Sequence, residues 1–409
     1  MFKKLAKTSP LIPIIFIIAL IACWIELDLY APSFPQIMHH FETNEQAIQW
    51  TLSLNFLGFF LSSLFCGPLA DGFGRRPILV TGSIIFALGS IVCVFAPSME
   101  ILMLGRFIQG MGVSAPVTIC MAVIADIYQG DRQVRLLSIM NSTVTMVMAA
   151  APIAGVFLTE YFGWRSNFVV IAIGAFLGTF LIGFFIPETH EKDKRQPFEI
   201  KQLFMGYVQL LKCKSFMLLT LSLCFMTAAY FVFIGIIPLL FMEKLGVDIN
   251  SYALYQGSGV GLFAILSLCV PTVMSKFNVD KLMRASMIVS LASGISLGLL
   301  GIFAADHPQS ITILMCCYIV GLVLPCCVVF AQAMDMFPPL RASASSLMQS
   351  LRMLTMALAT YLAGFFYDGS FMPIGIVIMS LIVMAFPMAM SVIGRRNLAS
   401  LQPSTGAFH

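Results

Sequence analysis

Long apolar runs, broken by short polar or glycine- and proline-containing stretches, follow one another from residue 11 to residue 393. A helix needs about 20 apolar residues to cross a bilayer. When the runs are divided at these polar, glycine and proline residues, the chain has twelve predicted spans: 11–34, 50–69, 78–96, 101–125, 136–159, 166–186, 216–240, 252–274, 283–304, 311–334, 343–366 and 371–393. The runs are continuous, unlike the alternating strands of a membrane barrel. The predicted fold class is therefore an all-α integral membrane protein.

Composition supports this prediction and excludes several function classes. The chain is 59% hydrophobic and 10% charged, with a mean hydropathy of +0.94, whereas soluble domains carry about 25% charged residues. Most of the 11 cysteines fall inside spans, where cysteine acts as a small hydrophobe, so neither disulfides nor a metal site is expected. The match of Gly294–Gly298 to a serine-hydrolase motif lies in an apolar span and lacks the strand–turn–helix setting. We expect no enzyme activity, no cofactor and no nucleic-acid partner.

The longest polar connection divides the predicted spans into two groups of six. The predicted units are an N-terminal bundle (1–187), a linker (188–214), a C-terminal bundle (215–394) and a tail (395–409). Most of the 23 Lys and Arg residues fall on one side of the predicted spans. Because positive residues stay in the cytoplasm, both termini and the linker are predicted to be cytoplasmic.

Two acids, Glu26 and Asp28, lie in the first span, where an acidic residue costs roughly 2.5–3.5 kcal/mol. They are two residues apart, so they point to different helix faces. Arg106 lies in the fourth span. The helical rise places Asp28 about 25 Å and Arg106 about 8 Å from opposite faces of a core roughly 30 Å thick, which allows a direct contact.

Desolvation favours a protonated acid, whereas a nearby arginine favours the carboxylate. Moving Arg106 or admitting a cationic substrate would therefore switch proton occupancy. We predict Asp28 as the first choice of proton carrier, Glu26 as the second and Arg106 as the group that tunes them. The alternative is that one acid only neutralises Arg106.

Arg352 lies near the middle of the eleventh span and needs an acid, carbonyl, water or substrate as its partner. Polar and aromatic side chains at comparable depths are predicted to line a central substrate cavity, some of them making interhelical hydrogen bonds instead. The set is Trp24, Tyr30, Asn55, Gln109, Asn141, Tyr230, Tyr255, Gln256, Tyr318, Gln349 and Arg352.

The connection between spans two and three, Gly67–Pro77, has the composition of a tight turn in which glycines allow positive φ and Asp71 caps or pairs with arginines. It resembles the signature loop of the major facilitator superfamily, with Gly72 where that family has a basic residue. Four further stretches resemble motifs of its twelve-helix drug:proton antiporters and of the Bcr/CflA multidrug efflux subfamily. They are Leu27–Pro32, Leu104–Gly112, Ala151–Gly155, and Phe162–Arg165 with Phe168 followed by Pro187–Thr189.

The resemblance implies two pseudo-symmetric six-helix bundles that rock around a central cavity. It implies a monomer that exports small amphipathic drugs across the bacterial cytoplasmic membrane in exchange for protons. Residues at the cytoplasmic gate would be Gly67, Asp71, Gly74, Arg75, Arg76 and Asp126, and the hinge in the fifth span would be Pro152 and Gly155.

Three alternatives to efflux remain at this point. A proton-coupled importer of a nutrient or siderophore would use the same fold in the opposite direction. A non-transporting membrane receptor would have no use for buried acids. An intramembrane enzyme would need a catalytic motif that the spans lack.

Overall fold

The computed structural model describes residues 11–128, 130–190, 199–303, 307–337 and 340–393. The linker residues 191–198 and the predicted tail 395–409 lie outside these ranges. Helices of the first part are α1 (Leu11–Asp28), α2 (Phe34–His40), α3 (Glu45–Phe73), α4 (Arg75–Val94), α5 (Met99–Ile127), α6 (Gly130–Phe162) and α7 (Arg165–Phe185). The following helices are α8 (Ile200–Lys212), α9 (Lys214–Pro238), α10 (Ile249–Lys276), α11 (Val279–Phe303), α12 (Pro308–Asp335), α13 (Arg341–Phe366) and α14 (Met372–Met390).

Among the described residues, 11 helices are long and apolar enough to cross a membrane. The first of them combines α1 and α2 through a 3-10 turn at Ala31–Ser33, and α9 is extended by a π-helical turn at Leu239–Lys244. The remaining predicted span, 343–366, coincides with α13, a helix of 26 residues that is more polar because it carries serine, glutamine and arginine side chains. The all-α membrane fold class is confirmed.

Hydrogen-bonded caps and a glycine set several helix ends. Asn44 and Asp248 accept hydrogen bonds from the backbone N–H groups of Ala47 (2.9 Å) and Ser251 (3.0 Å), which begins α3 and α10. Gly74 separates α3 from α4 with φ +109°. Only glycine adopts this conformation readily. The turn is narrower than the predicted Gly67–Pro77, because α3 continues through Gly67 and Gly72 to Phe73 and α4 begins at Arg75.

The helices pack into two bundles. In the first, α1 contacts α6 and α7, and α5 packs between α3 and α4. In the second, α9 contacts α13 and α14, while α12 packs against α10 and α11. The bundles meet where α3 packs along α13 and where α6 packs along α10. By order within each bundle, α3 corresponds to α10 and α6 corresponds to α13. The α3–α13 contact is therefore the counterpart of the α6–α10 contact, as expected for a pseudo-symmetric pair.

The contact of α3 with α13, termed here the α3–α13 seam, is built from small and hydroxyl side chains. Ser53 Oγ lies 2.9 Å from Thr360 Oγ1, and Ser63 Oγ lies 2.7 Å from Ser350 Oγ. A Cβ on Gly364 would lie 2.6 Å from Gln49 Cβ. The seam therefore joins the bundles with neutral hydrogen bonds and close backbone packing.

The linker contains α8, a helix that the apolar-run pattern did not predict. One side of α8 is buried, including Leu203 and Leu210, while Phe204 and Leu211 are exposed. Because its apolar residues recur at helical spacing instead of forming a continuous run, it lacks the length and hydropathy of a span. Tyr207 of α8 donates a hydrogen bond to the carbonyl oxygen of Leu64 in α3 at 2.5 Å.

Candidate functional site

Arg106 of α5 is fully buried and pairs with an acid of α1. Its Nη1 atom lies 3.3 Å from Glu26 Oε2, and the two side chains are 0% and 3% exposed. The same nitrogen donates a hydrogen bond to Gln109 Oε1 at 2.5 Å, three residues further along α5. A charge buried at this depth requires such partners.

Polar and aromatic neighbours fix this pair in place. Arg106 lies over the Tyr30 ring, 4.8 Å from its centroid, in a cation–π contact. The Tyr30 hydroxyl is hydrogen-bonded to the hydroxyl of Thr51. Gln109 Nε2 donates to Ser90 Oγ at 2.9 Å, and Asn55 Nδ2 donates to the Arg106 carbonyl oxygen at 3.2 Å. The guanidinium itself thus contacts Glu26, Gln109 and Tyr30, while side chains of α3 and α4 hold these neighbours and the Arg106 backbone. Arg106 Nε and Nη2 have no hydrogen-bond partner among the described residues.

Asp28, at the end of α1, faces the second bundle. Its side chain is buried, with the residue 4% exposed, and Oδ1 accepts a hydrogen bond from Gln256 Nε2 of α10 at 3.4 Å. Gln256 Oε1 accepts in turn from the Tyr252 hydroxyl. This contact crosses between the bundles, and its donor is a neutral amide.

The two acids therefore have different surroundings. Glu26 forms the contact with Arg106 that the sequence allowed for Asp28; among the described side chains, Asp28 and Arg106 form no ion pair. The physical reason is rotational. Residues two apart on a helix differ by about 200° in direction, so α1 cannot turn both carboxylates toward α5.

The fifth membrane helix, α6, approaches α1 very closely beside Asp28. A Cβ on Gly155 would lie 2.1 Å from the carbonyl oxygen of Leu29. Pro152 lies inside α6, and Ile153 packs 4.0 Å from the position of a Cβ on Gly257 in α10. The predicted hinge residues thus lie where α6 touches both α1 and α10.

Gly155→Ala is expected to lower the thermal unfolding midpoint in detergent. The added methyl group would overlap the Leu29 carbonyl, and overpacking of this kind costs typically 1–3 kcal/mol. Gly261→Ala is the matched control, because a Cβ there meets nothing within 4 Å and alanine favours a helix. An equal midpoint for both variants would contradict the close approach.

The other predicted cavity residues divide between separate environments. The Tyr318 hydroxyl donates to the carbonyl oxygen of Met226 at 2.6 Å, an interhelical bond inside the second bundle. Tyr230 packs edge-on against Phe231, and Tyr255 packs edge-on against Phe241. Trp24 is half-buried in the first bundle. The side chain of Asn141 lies outside the described residues.

Arg352 and Gln349 line a small cavity within the second bundle. Arg352 Nη2 donates to Gln349 Oε1 at 2.6 Å, so the guanidinium is bonded to a neutral amide. The full lining is Thr220, Leu223, Cys224, Phe330, Met348, Gln349 and Arg352. This environment differs from that of Arg106, which has an acid beside it.

The predicted gate residues form an ion-pair cluster at one end of the first bundle. Arg75 Nη1 lies 2.8 Å from Asp71 Oδ1, and Arg75 Nε lies 3.4 Å from Asp126 Oδ2. The backbone N–H of Arg75 donates to Glu188 Oε1 at 3.0 Å. The cluster thus fastens the α3–α4 turn to the ends of α5 and α7.

Beside Gly74, which forms the turn itself, the two remaining gate residues differ in position. Arg76 Nη2 donates to the carbonyl oxygen of Gly183 at 2.6 Å, still inside the first bundle. Gly67 faces α13, where a Cβ would lie 2.8 Å from Ser346 Oγ. Gly67 therefore contributes to the α3–α13 seam, and a gating role for the whole turn stays a prediction.

Several partners were missed from the sequence. Thr51 and Ser90 complete the Arg106 cluster, and Gln49 Nε2 donates to the carbonyl oxygen of Gly235 at 2.6 Å, across the bundles. Small polar residues inside apolar spans indicate candidates for such hydrogen bonds between helices. Choosing among the many such residues requires the rotation of each helix, which a single sequence does not give.

Comparison with known proteins places the chain among transporters. The family model described as Major Facilitator Superfamily matches residues 15–360. A bicyclomycin resistance protein homolog from Haemophilus influenzae is 26% identical over 331 residues, covering 80% of this chain and 82% of that protein. Multidrug resistance protein MdtL from Citrobacter koseri is 28% identical over 277 residues, covering 67% of this chain and 69% of that protein.

Solved structures agree on the fold. A D-xylose–proton symporter superposes with a TM-score of 0.74 at 14% identity, covering 94% of this chain and 97% of that chain. The human organic anion transporter MFSD10 superposes with a TM-score of 0.65 at 14% identity, covering 93% and 100%. The chain therefore belongs to the Major Facilitator Superfamily, whose members are membrane transporters and not enzymes, and which need no cofactor.

Proposed function

We propose that this chain exports small amphipathic toxic compounds in exchange for protons, by alternating access in a bacterial cytoplasmic membrane. The names of its bacterial relatives, a bicyclomycin resistance homolog and a multidrug resistance protein, support the direction and the substrate class. The observation that carries the proton coupling is the placement of Asp28. It is a buried acid, held by an amide of the opposite bundle.

The surroundings of the two acids suggest separate roles. A buried carboxylate is costly unless a cation or a proton neutralises it. Glu26 has the guanidinium of Arg106 at 3.3 Å, so its charge is balanced within the first bundle. Asp28 has the Gln256 amide as its hydrogen-bond donor, so a bound proton is the simplest way to balance it. Asp28 is the proposed proton carrier, and Glu26 with Arg106 forms its fixed electrostatic surroundings.

The Asp28–Gln256 contact links proton occupancy to the position of the bundles. Separation of α1 from α10 breaks this contact and lets water reach the carboxylate, which favours loss of the proton. Closure of the bundles returns the acid to a dry site and favours its protonated form. Protonation on one side of the membrane and release on the other is the step that drug export would use.

The remaining roles follow the same scheme. The α3–α4 turn, fastened through Arg75, is the proposed cytoplasmic latch, and α6 around Pro152 and Gly155 is the proposed hinge.

We place both termini in the cytoplasm, since the Lys and Arg residues concentrate on that side. The chain is proposed to work as a monomer, with residues 1–187 and 215–394 as the moving units.

The test is drug-evoked proton release from everted vesicles that contain the protein. Respiration acidifies the vesicle interior, and addition of an exported compound should release protons, which a pH-sensitive dye detects. The compound panel begins with bicyclomycin, and vesicles without the protein are the control. Absence of release with every compound, together with proton-driven uptake of a nutrient in whole cells, would replace export by import.

A further inference from the structure

The linker helix α8 has a second apolar strip beside the one that packs against the protein. Ile200, Phe204, Val208 and Leu211 are between 45% and 57% exposed. At 3.6 residues per turn these four side chains fall within about 80° of one another around the helix. Buried residues such as Leu203 occupy the adjoining arc. The four exposed residues are termed here the α8 outer strip.

Lysines edge the α8 outer strip. Lys201 and Lys212 are exposed and are the charged residues of the helix. They lie about 20° and 40° beyond Val208 around the helix axis. The side opposite Ile200 carries the neutral Gln209. An apolar strip with lysines along its edge is typical of a helix that lies in a membrane interface, because the lysine stem can cross from the acyl boundary to the phosphate groups.

The contacts of α8 place it at the ends of the membrane helices. Cys213, with extended backbone (φ −79°, ψ +102°), separates α8 from α9, which is long and apolar enough to cross the membrane. A Cβ on Gly206 would lie 3.8 Å from Ser343 Oγ, in the first turn of α13. Since a bilayer surrounds these spans, lipid is the apolar phase within reach of the α8 outer strip.

We propose that the α8 outer strip binds the surface of the cytoplasmic leaflet, with Lys201 and Lys212 on the phosphate groups of anionic lipids. The leaflet follows from the proposed orientation of the termini. The apolar side chains would lie at the acyl boundary, and the lysines match the negative surface of the leaflet. On its other side, α8 contacts α9, α13 and, through Tyr207, the carbonyl oxygen of Leu64 in α3. Lipid binding would thus hold the linker where it touches both bundles.

The position of the strip is tested with Phe204→Trp in the full-length protein. Nanodiscs are made from phosphatidylcholine with brominated acyl chains and phosphatidylglycerol. Bromine quenches an indole beside the acyl chains, whereas acrylamide quenches an indole in water. Emission of the wild type, which contains three tryptophans, is subtracted. The introduced indole should be quenched by bromine and shielded from acrylamide. Gln209→Trp is the matched control on the opposite side of α8 and should show the reverse.

The role of the lysines is tested in the Phe204→Trp protein. Brominated phosphatidylglycerol and brominated phosphatidylcholine, each a minor component of unlabelled lipid, give the relative binding constant of the two headgroups at α8. Since a lysine near an anionic surface contributes a preference of about fivefold, phosphatidylglycerol should be favoured several-fold. Lys201→Gln combined with Lys212→Gln should bring the ratio close to one. Lys276→Gln combined with Lys281→Gln removes the same charge from exposed positions on α10 and α11 and should leave the ratio unchanged.

Three results would overturn the proposal. Quenching of the Phe204→Trp indole by acrylamide and not by bromine would place the strip in water. Shielding from both quenchers would indicate that protein covers it, and loss of this shielding at one copy per nanodisc would identify a second copy as the cover. An unchanged headgroup ratio without Lys201 and Lys212 would exclude recognition of anionic lipid. The measurements use neither a proton gradient nor an exported compound, so they stand apart from the test of export.

Discussion

Asp28→Asn is expected to reduce drug-evoked proton release to the level of vesicles that lack the protein. The asparagine side chain has nearly the volume of the acid and can still accept a hydrogen bond from Gln256, but it cannot ionise. The fold and substrate binding should therefore persist while coupling is lost. The dye assay in everted vesicles measures coupling, and equilibrium binding of the same compound measures retention of the site.

The control for this substitution is Asp248→Asn. Asp248 caps α10 through the backbone N–H of Ser251, outside the membrane spans, so the same chemical change there should leave proton release at the wild-type rate. Proton release by Asp28→Asn equal to that of wild type would remove Asp28 from the mechanism. Loss of proton release in both variants would indicate damage to the fold.

Breaking the Glu26–Arg106 pair is expected to have the largest effect on stability. Glu26→Gln leaves a fully buried guanidinium without its acid, and Arg106→Gln leaves a buried carboxylate without its cation. Each loss of one partner costs roughly 3–5 kcal/mol. The double variant Glu26→Gln with Arg106→Gln removes both charges and should recover a large part of that free energy of unfolding.

Denaturant titration of the four proteins in detergent gives the coupling free energy of the pair. The exposed residue Glu160 supplies the control, because Glu160→Gln should leave the free energy of unfolding unchanged. Strictly additive losses in the double variant would show that the two side chains do not stabilise each other. That result would contradict the placement of Glu26 as the fixed partner of Arg106.

The fold could be predicted because membrane spans depend on length and hydropathy, which a single sequence contains. The spans 11–34 and 343–366 fall on α1 with its continuation and on α13. The helix α8 was missed because it lies between the bundles, with one face buried and one exposed. An amphipathic segment of 13 residues gives no long apolar run.

The candidate site could be predicted only in part. The unusual residues Glu26, Asp28 and Arg106 are conspicuous, since charges inside apolar spans are rare. Which acid meets the arginine depends on the rotation of α1 about its axis and on the packing of α5 beside it. Both are tertiary properties. The Gln256 contact was harder to predict, because a glutamine in an apolar span is equally consistent with many partners.

The α3–α13 seam has a consequence for the energetics of rocking. Neutral hydroxyl pairs such as Ser63 with Ser350 contribute about 0.5–1.5 kcal/mol each, and each hydroxyl can exchange its partner for a water molecule when the helices part. Opening these hydroxyl contacts leaves no charged side chain of the α3–α13 seam without a partner. The seam itself would therefore add little to the cost of the proposed rocking in either direction, and it would not by itself decide which side is open.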